Sequence, residues 1–153
     1  MAFTNGPYLQ AAVLCEKVIE DKQGVLTLVR IVDRIIVSSA SPSASDVMPV
    51  TQVGLTLVIM LKAGQARGGH MLAIRPEAPS GLKGTELRLS ILFEGEDRGN
   101  NVVLDAHYQA KEEGLHWFDV LLDSELITRI PLRVVYQRIT AGRPPTLGQD
   151  QTQ

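Results

Sequence analysis

The chain holds one cysteine, one tryptophan, three tyrosines and three phenylalanines among its 153 residues. A single cysteine excludes an internal disulfide. None is required, because a domain of this length buries roughly 68–70% of the surface its unfolded chain would expose and needs neither staple nor structural metal. Cys15 follows Val13 and Leu14, the setting of a small buried side chain in a reducing compartment. Positive charge is not in excess, with 15 Lys and Arg against 17 Asp and Glu. There is therefore no broad field to hold a phosphate backbone, and nucleic acid is not an expected partner. No apolar run reaches the roughly 18 residues of a membrane span; the longest, around Leu55 to Leu61, is interrupted by Thr56 and closed by Lys62. The opening MAFTNGPYLQ lacks the basic start and apolar centre of a signal peptide. These absences together predict a cytoplasmic protein without membrane contact. Also missing are a phosphate-binding glycine loop, HExxH and GxSxG, and no histidine stands near Cys15. No catalytic residue, metal or cofactor is assigned, and an enzyme is the less favoured reading.

What the chain does have is alternation. Val53, Leu55, Leu57, Ile59 and Leu61 stand at every second position, as do Leu87, Leu89, Ile91 and Phe93, and again Val102, Leu104, Ala106 and Tyr108; a period of two marks half-buried strands. Val25 to Val37 is rich in β-branched residues and follows the turn-like Asp21-Lys22-Gln23-Gly24, which predicts a hairpin with Tyr8 to Glu20; the alanines, leucines and glutamate of that segment also suit a helix, and it is read as a strand because its neighbour is one. Ser38 to Asp46, small and polar, and Pro76 to Gly84, broken by proline and glycine, read as surface loops. From residue 139 the chain is polar and proline-broken, which predicts a disordered tail after a domain over 1–138. Short strands without an amphipathic helix predict an all-β fold, a two-sheet antiparallel β-sandwich of about eight strands.

The stretch GLHWFDVLLDSELITRIPLRVVYQ, Gly114 to Gln137, organises this reading. Asp123-Ser124 between two apolar runs predicts a two-residue hairpin turn. Counting outward pairs Leu122 with Glu125, Leu121 with Leu126, Asp119 with Thr128, Trp117 with Ile130 and Leu115 with Leu132. The face of Trp117, Leu121, Ile130 and Val134 then belongs to the core. A further hairpin closed by Lys111 to Gly114 would set Tyr108 opposite Trp117 and Leu104 opposite Leu121.

The segments AVLCEKVIEDKQGVLTLVRIVDRI and GLHWFDVLLDSELITRIPLRVVYQ resemble the opening and closing signatures of an uncharacterised bacterial family of small cytosolic β-sandwich proteins. The resemblance covers most of residues 8 to 138. It implies fold and cytosolic location, and it brings no activity or site residues with it.

Several side chains invite chemistry once this register is drawn. Asp119 points into the apolar face, where a carboxylate must find partners; Thr128 is its expected one, and Asp33 in RIVDR is a second buried acid expected to pair with an arginine. His107 and His116 fall on one outer face of neighbouring strands; a metal there would need a third and fourth ligand, for which Asp105 and Gln109 are the only polar candidates nearby, and solvated or partner-facing histidines are the more usual case. The acidic loop from Glu94 to Asn101, expected near Asp123 and Glu125, carries calcium-type donors, but acidic turns also serve simply to keep edges soluble. With Trp117 inward, Phe118, Val120, Leu122 and Ile127 turn outward beside Arg129. An apolar face rimmed by arginine predicts either cover by the segments Ser38 to Asp46 and Pro76 to Gly84 of the same chain or, the favoured reading, a contact surface for a second copy in a homodimer or for another protein. The leading expectation is a non-enzymatic protein-interaction or self-associating module. The alternative is a small-ligand-binding domain or enzyme with a loop-lined site near Asp119.

Overall fold

A computed structural model describes residues 5–41 and 43–139. Among them are nine strands and no helix: β1 Tyr8–Glu20, β2 Leu26–Ile31, β3 Arg34–Ser39, β4 Thr51–Gly64, β5 Gly68–Glu77, β6 Leu87–Phe93, β7 Glu96–Ala110, β8 Gly114–Leu122 and β9 Glu125–Arg138. They form a four-stranded sheet in the order β2-β1-β4-β7 and a five-stranded sheet in the order β3-β9-β8-β5-β6. Every strand that alternation marked is present. The tail expected from residue 139 lies, apart from Ile139, outside the described residues.

The strand count exceeds the expected eight because the Val25 to Val37 run divides. Arg30 takes a positive φ of 53°, and the chain leaves one sheet for the other at Val32-Asp33. β2 pairs antiparallel with β1, as the hairpin reading required, whereas β3 pairs with β9. Backbone bonds from Val32 to the Leu14 carbonyl and from Arg133 to the Asp33 carbonyl pin the crossing on both sides. The β3–β9 ladder is parallel, so the sheets are not wholly antiparallel as expected. No change of composition marks the break, since β-branched residues continue through it. Asp33 is exposed at this crossing and is in no ion pair among the described residues, which corrects its expected burial.

A second correction concerns neighbours. β7 pairs with β4 along nearly its whole length and not with β8; Lys111 to Gly114 carries the chain from one sheet to the other. The acidic stretch that opens β7 therefore lies beside the end of β4, with Glu96 opposite Gly64. Asp123 instead bonds to β5, where its carboxylate accepts the Met71 amide at 2.9 Å and meets His70 Nδ1 at 2.5 Å. Burial alone would raise the Asp123 carboxyl, but the Met71 amide and His70 outweigh it and hold the group below the ordinary aspartate value.

The third correction is one of face. Asp123 and Ser124 both have positive φ, 48° and 69°, the backbone of a tight two-residue hairpin, and Leu122 pairs with Glu125 and Leu121 with Leu126 as counted. The register then shifts, so that Val120 faces Thr128 and Ile127 is the extra residue of a bulge. Beyond it Phe118 faces Ile130, Asp119 faces Arg129 and Trp117 faces Pro131. Phe118, Val120 and Leu122 consequently lie in the core, not on an outer face, and half-buried Ile127 packs against it. Trp117, Asp119 and Leu121 take the outward face. Ile130, Leu132 and Val134 are inward as expected. They join Leu57, Ile59, Leu72 and Phe93 in one cluster drawn from both sheets.

Candidate functional site

Two arrangements of polar side chains stand out, one on each side of β8. The first is on the outward face of the five-stranded sheet. Asp119 is 5% exposed. Its Oδ1 accepts Arg129 Nε at 2.6 Å, and its Oδ2 lies 3.8 Å from a terminal nitrogen of Arg75. Arg129 also donates to Glu77 at 3.1 Å, and its guanidinium carbon lies 4.7 Å from the centroid of the Trp117 ring, a stacking distance at which a cation is attracted by the ring face. The bond from Asp119 holds the Arg129 proton more firmly than usual, and the negative charges of Asp119 and Glu77 add to this. Thr128, expected as the partner of Asp119, pairs with Val120 instead, because the bulge moved it one place. The Asp119 charge is answered by two guanidinium groups, one of them hydrogen-bonded to it. This is a structural network.

The second arrangement lies between the sheets. His116, expected outside, is fully buried. Its Nε2 is 2.7 Å from the Glu112 carbonyl and its Nδ1 is 2.7 Å from the Tyr108 hydroxyl. A carbonyl can only accept, so Nε2 carries the hydrogen, and in neutral imidazole Nδ1 then accepts from the tyrosine. Burial, reinforced by the charge of Glu112, pushes the Tyr108 hydroxyl up, so it stays protonated and serves as that donor. Tyr108 stacks edge-on against His116 and against Phe118, with centroids 5.4 and 5.1 Å apart. The pair joins β7 of one sheet to β8 of the other. His107, one residue away on a strand, is exposed on the opposite face of β7.

Beside Tyr108 opens a cleft of about 390 Å³. Pro76, Ala78, Leu82 and Lys83 form one wall; His107, Tyr108 and Gln109 of β7, with Lys111 beyond, form the other. The first wall belongs to the β5–β6 connection, which is bonded internally from Ala78 to the Leu82 carbonyl, from Gly81 to the Ala78 carbonyl and from Gly84 to the Pro76 carbonyl. Glu112 straps it across the gap by accepting from the backbone and hydroxyl of Ser80 at 3.2 and 3.0 Å. Gly114, at φ 127°, lies so close to Pro79 that a Cβ there would come within 3.0 Å of the ring, so the strap seats on a glycine. The cleft is thus held open by its own bonding. Sequence reasoning missed it because its walls lie far apart in the chain and carry no motif. The only local cue was Tyr108, an amphipathic side chain in a strand that alternates.

Among the described residues no group of three or more His, Cys, Asp or Glu is placed to hold a metal ion, and no helix is long and apolar enough to cross a membrane. No curated protein matches the chain. A family model matches residues 10–135, spanning most of β1 and most of β9, and by that match the chain belongs to DUF6941, a family of unknown function.

Proposed function

We propose that the protein is a non-enzymatic interaction module of the bacterial cytosol, a sandwich of two sheets that takes an extended segment of a partner protein along the free edge of β7. The observation that carries this reading is that three successive residues, His107, Tyr108 and Gln109, line one cleft. Successive side chains of a strand point to opposite faces, so a cleft touching all three runs along the strand's edge. β7 ends its sheet and pairs only with β4. In an antiparallel edge strand every second residue turns its N–H and C=O away from the partner. Whichever of the three residues does so, at least one such pair of groups faces the cleft, and a strand added there would satisfy it. Pro76, Ala78 and Leu82 offer an apolar wall for alternate side chains. Lys83 and Lys111, in no ion pair among the described residues, favour a segment that carries acid. The buried cysteine, near-balanced charge and lack of membrane-length apolar runs support the cytosolic setting.

Selection from a library of random short peptides tests this. Binders are expected to protect amides of residues 107–109 from hydrogen exchange and to lose affinity on alternate backbone N-methylation, which removes the donors that strand addition uses. Selected peptides that protect another surface, or that tolerate methylation at every position, would sink the reading.

One observation favours a second reading, self-association through the outward face of the four-stranded sheet. Val13, Val58 and Val103 stand in one row across β1, β4 and β7, with Cys15 and Ile31 paired in the next. Ile31 and Val103, on the edge strands β2 and β7, are exposed while Cys15 and Val58 of the same rows are fully buried, and a solvated sheet face ordinarily alternates to polar residues. Light scattering coupled to size exclusion should then show a dimer that Val103→Glu dissociates. A monomer at tens of micromolar, roughly where weak dimers are populated, excludes it.

A further inference from the structure

On the outward face of the five-stranded sheet the arginines are answered by acids, with one exception. Arg129 meets Asp119 and Glu77, Arg75 approaches Asp119, and Arg88 meets Glu86. Arg34 and Arg133 are direct neighbours in the parallel β3–β9 ladder, yet among the described residues neither is within ion-pair distance of a carboxylate. Like charges set directly opposite one another on neighbouring strands repel. Both side chains are exposed, and with Asp33, Leu115 and Pro131 they line an open hollow of about 420 Å³.

The geometry points to an oxyanion-binding site between Arg34 and Arg133 that takes the carboxylate or phosphate group of a small organic ligand. Two guanidinium groups at one hollow present forked N–H donors that match the paired oxygens of such a group, and an anion between them removes the repulsion that the bare pair carries. Leu115 and Pro131 supply apolar surface beside the charged group. Asp33, at the same hollow, narrows the class: its carboxylate accepts from an N–H or O–H donor. The ligand therefore carries an amine or hydroxyl near its acid group. The site lies on the other sheet from β7, so it stands or falls independently of strand addition.

Thermal unfolding of the full chain with added inorganic phosphate, acetate or L-serine, each against chloride at matched ionic strength, tests the assignment. Phosphate and acetate should each give a saturable rise in melting temperature, about 2–4 °C when the free anion is well above its dissociation constant. Arg34→Gln and Arg133→Gln should abolish the rise, whereas Arg88→Gln, which removes an arginine that already has its acid, should keep it. Serine should exceed acetate, and Asp33→Asn should erase that difference. A rise matched by chloride, or one retained by both glutamine variants, would overturn the site, and equal responses to serine and acetate would overturn the role of Asp33. If the glutamine variants fold poorly, the Nε resonances of the parent protein decide. Phosphate should shift those of Arg34 and Arg133, and unmoved resonances reject the proposal.

Discussion

Phe118→Ala is expected to lower the free energy of unfolding by about 3–5 kcal/mol, the range for truncating a buried aromatic where the surroundings cannot close the void. Phe118 is 5% exposed, faces Ile130 across the β8–β9 ladder and stacks edge-on with Tyr108 of the opposite sheet. Tyr108 is itself fixed through its hydroxyl to buried His116. The void would therefore open at a junction whose other members are held by hydrogen bonds and cannot slide inward. Urea titration measures this through the midpoint, provided the slope is unchanged. Phe118→Glu should prevent folding altogether, because it places a charge where no partner exists. Trp117→Ala, on the outward face against Arg129, should cost clearly less despite the larger side chain. A Phe118→Ala protein as stable as its parent would mean that the even-numbered residues of β8 do not face the core.

That contrast turns on one residue which the sequence does not mark. Both faces of β8 are apolar: Leu115, Trp117 and Leu121 on one, Phe118, Val120 and Leu122 on the other. Hydrophobic pattern can choose a strand's inner face only where the other face is polar, as in Leu87 to Phe93, where alternation with Glu86, Arg88 and Ser90 places Ile91 and Phe93 in the core. In β8 the choice fell to counting from the turn, and the count is sound for two pairs before the bulge at Ile127 shifts it by one. Beyond the bulge, Ile130, Leu132 and Val134 of β9 remain inward. Their partners change, from Trp117 to Phe118 and from Leu115 to His116.

Strand pairing was illegible for a related reason. The period of two in Val102 to Tyr108 shows that a strand exists, but β4 and β8 both offer it an apolar neighbour, and nothing in Lys111 to Gly114 distinguishes a hairpin from a crossing between sheets. The cleft depends on that crossing, since β7 keeps a free edge only because β8 belongs to the other sheet. The Arg34–Arg133 pair depends likewise on the division of Val25 to Val37, which sends β3 to lie parallel with β9.

Asp119→Ala should destabilise the protein by about 1–3 kcal/mol, the cost of leaving hydrogen-bonding groups without their partner, and should leave ligand binding at the β7 cleft untouched. The carboxylate is the least exposed member of its network. It was expected to be buried against Thr128, whereas its cross-strand neighbour is Arg129. Alanine would release both arginines, but they differ in what they can recover. Arg129 has a side chain 37% exposed, so it can regain water and keep its contact with Glu77. Arg75 is 29% exposed and already has its Nε buried without a partner, so losing Asp119 leaves that guanidinium worse placed. Water at the Arg129 end keeps the loss below the roughly 3–5 kcal/mol of a fully buried pair. Asp119→Asn should cost less than alanine, because the amide oxygen can still accept from Arg129 Nε. Arg129→Lys should not restore the parent, since an ammonium cannot reach Asp119 and Glu77 with a planar fork or stack on Trp117 as a guanidinium does. A double-mutant cycle across Asp119→Ala and Arg129→Ala isolates the pair's own coupling. Coupling indistinguishable from zero, with Asp119→Ala as stable as the parent, would show that the ion pair contributes nothing and that Asp119 is kept for some purpose other than the fold.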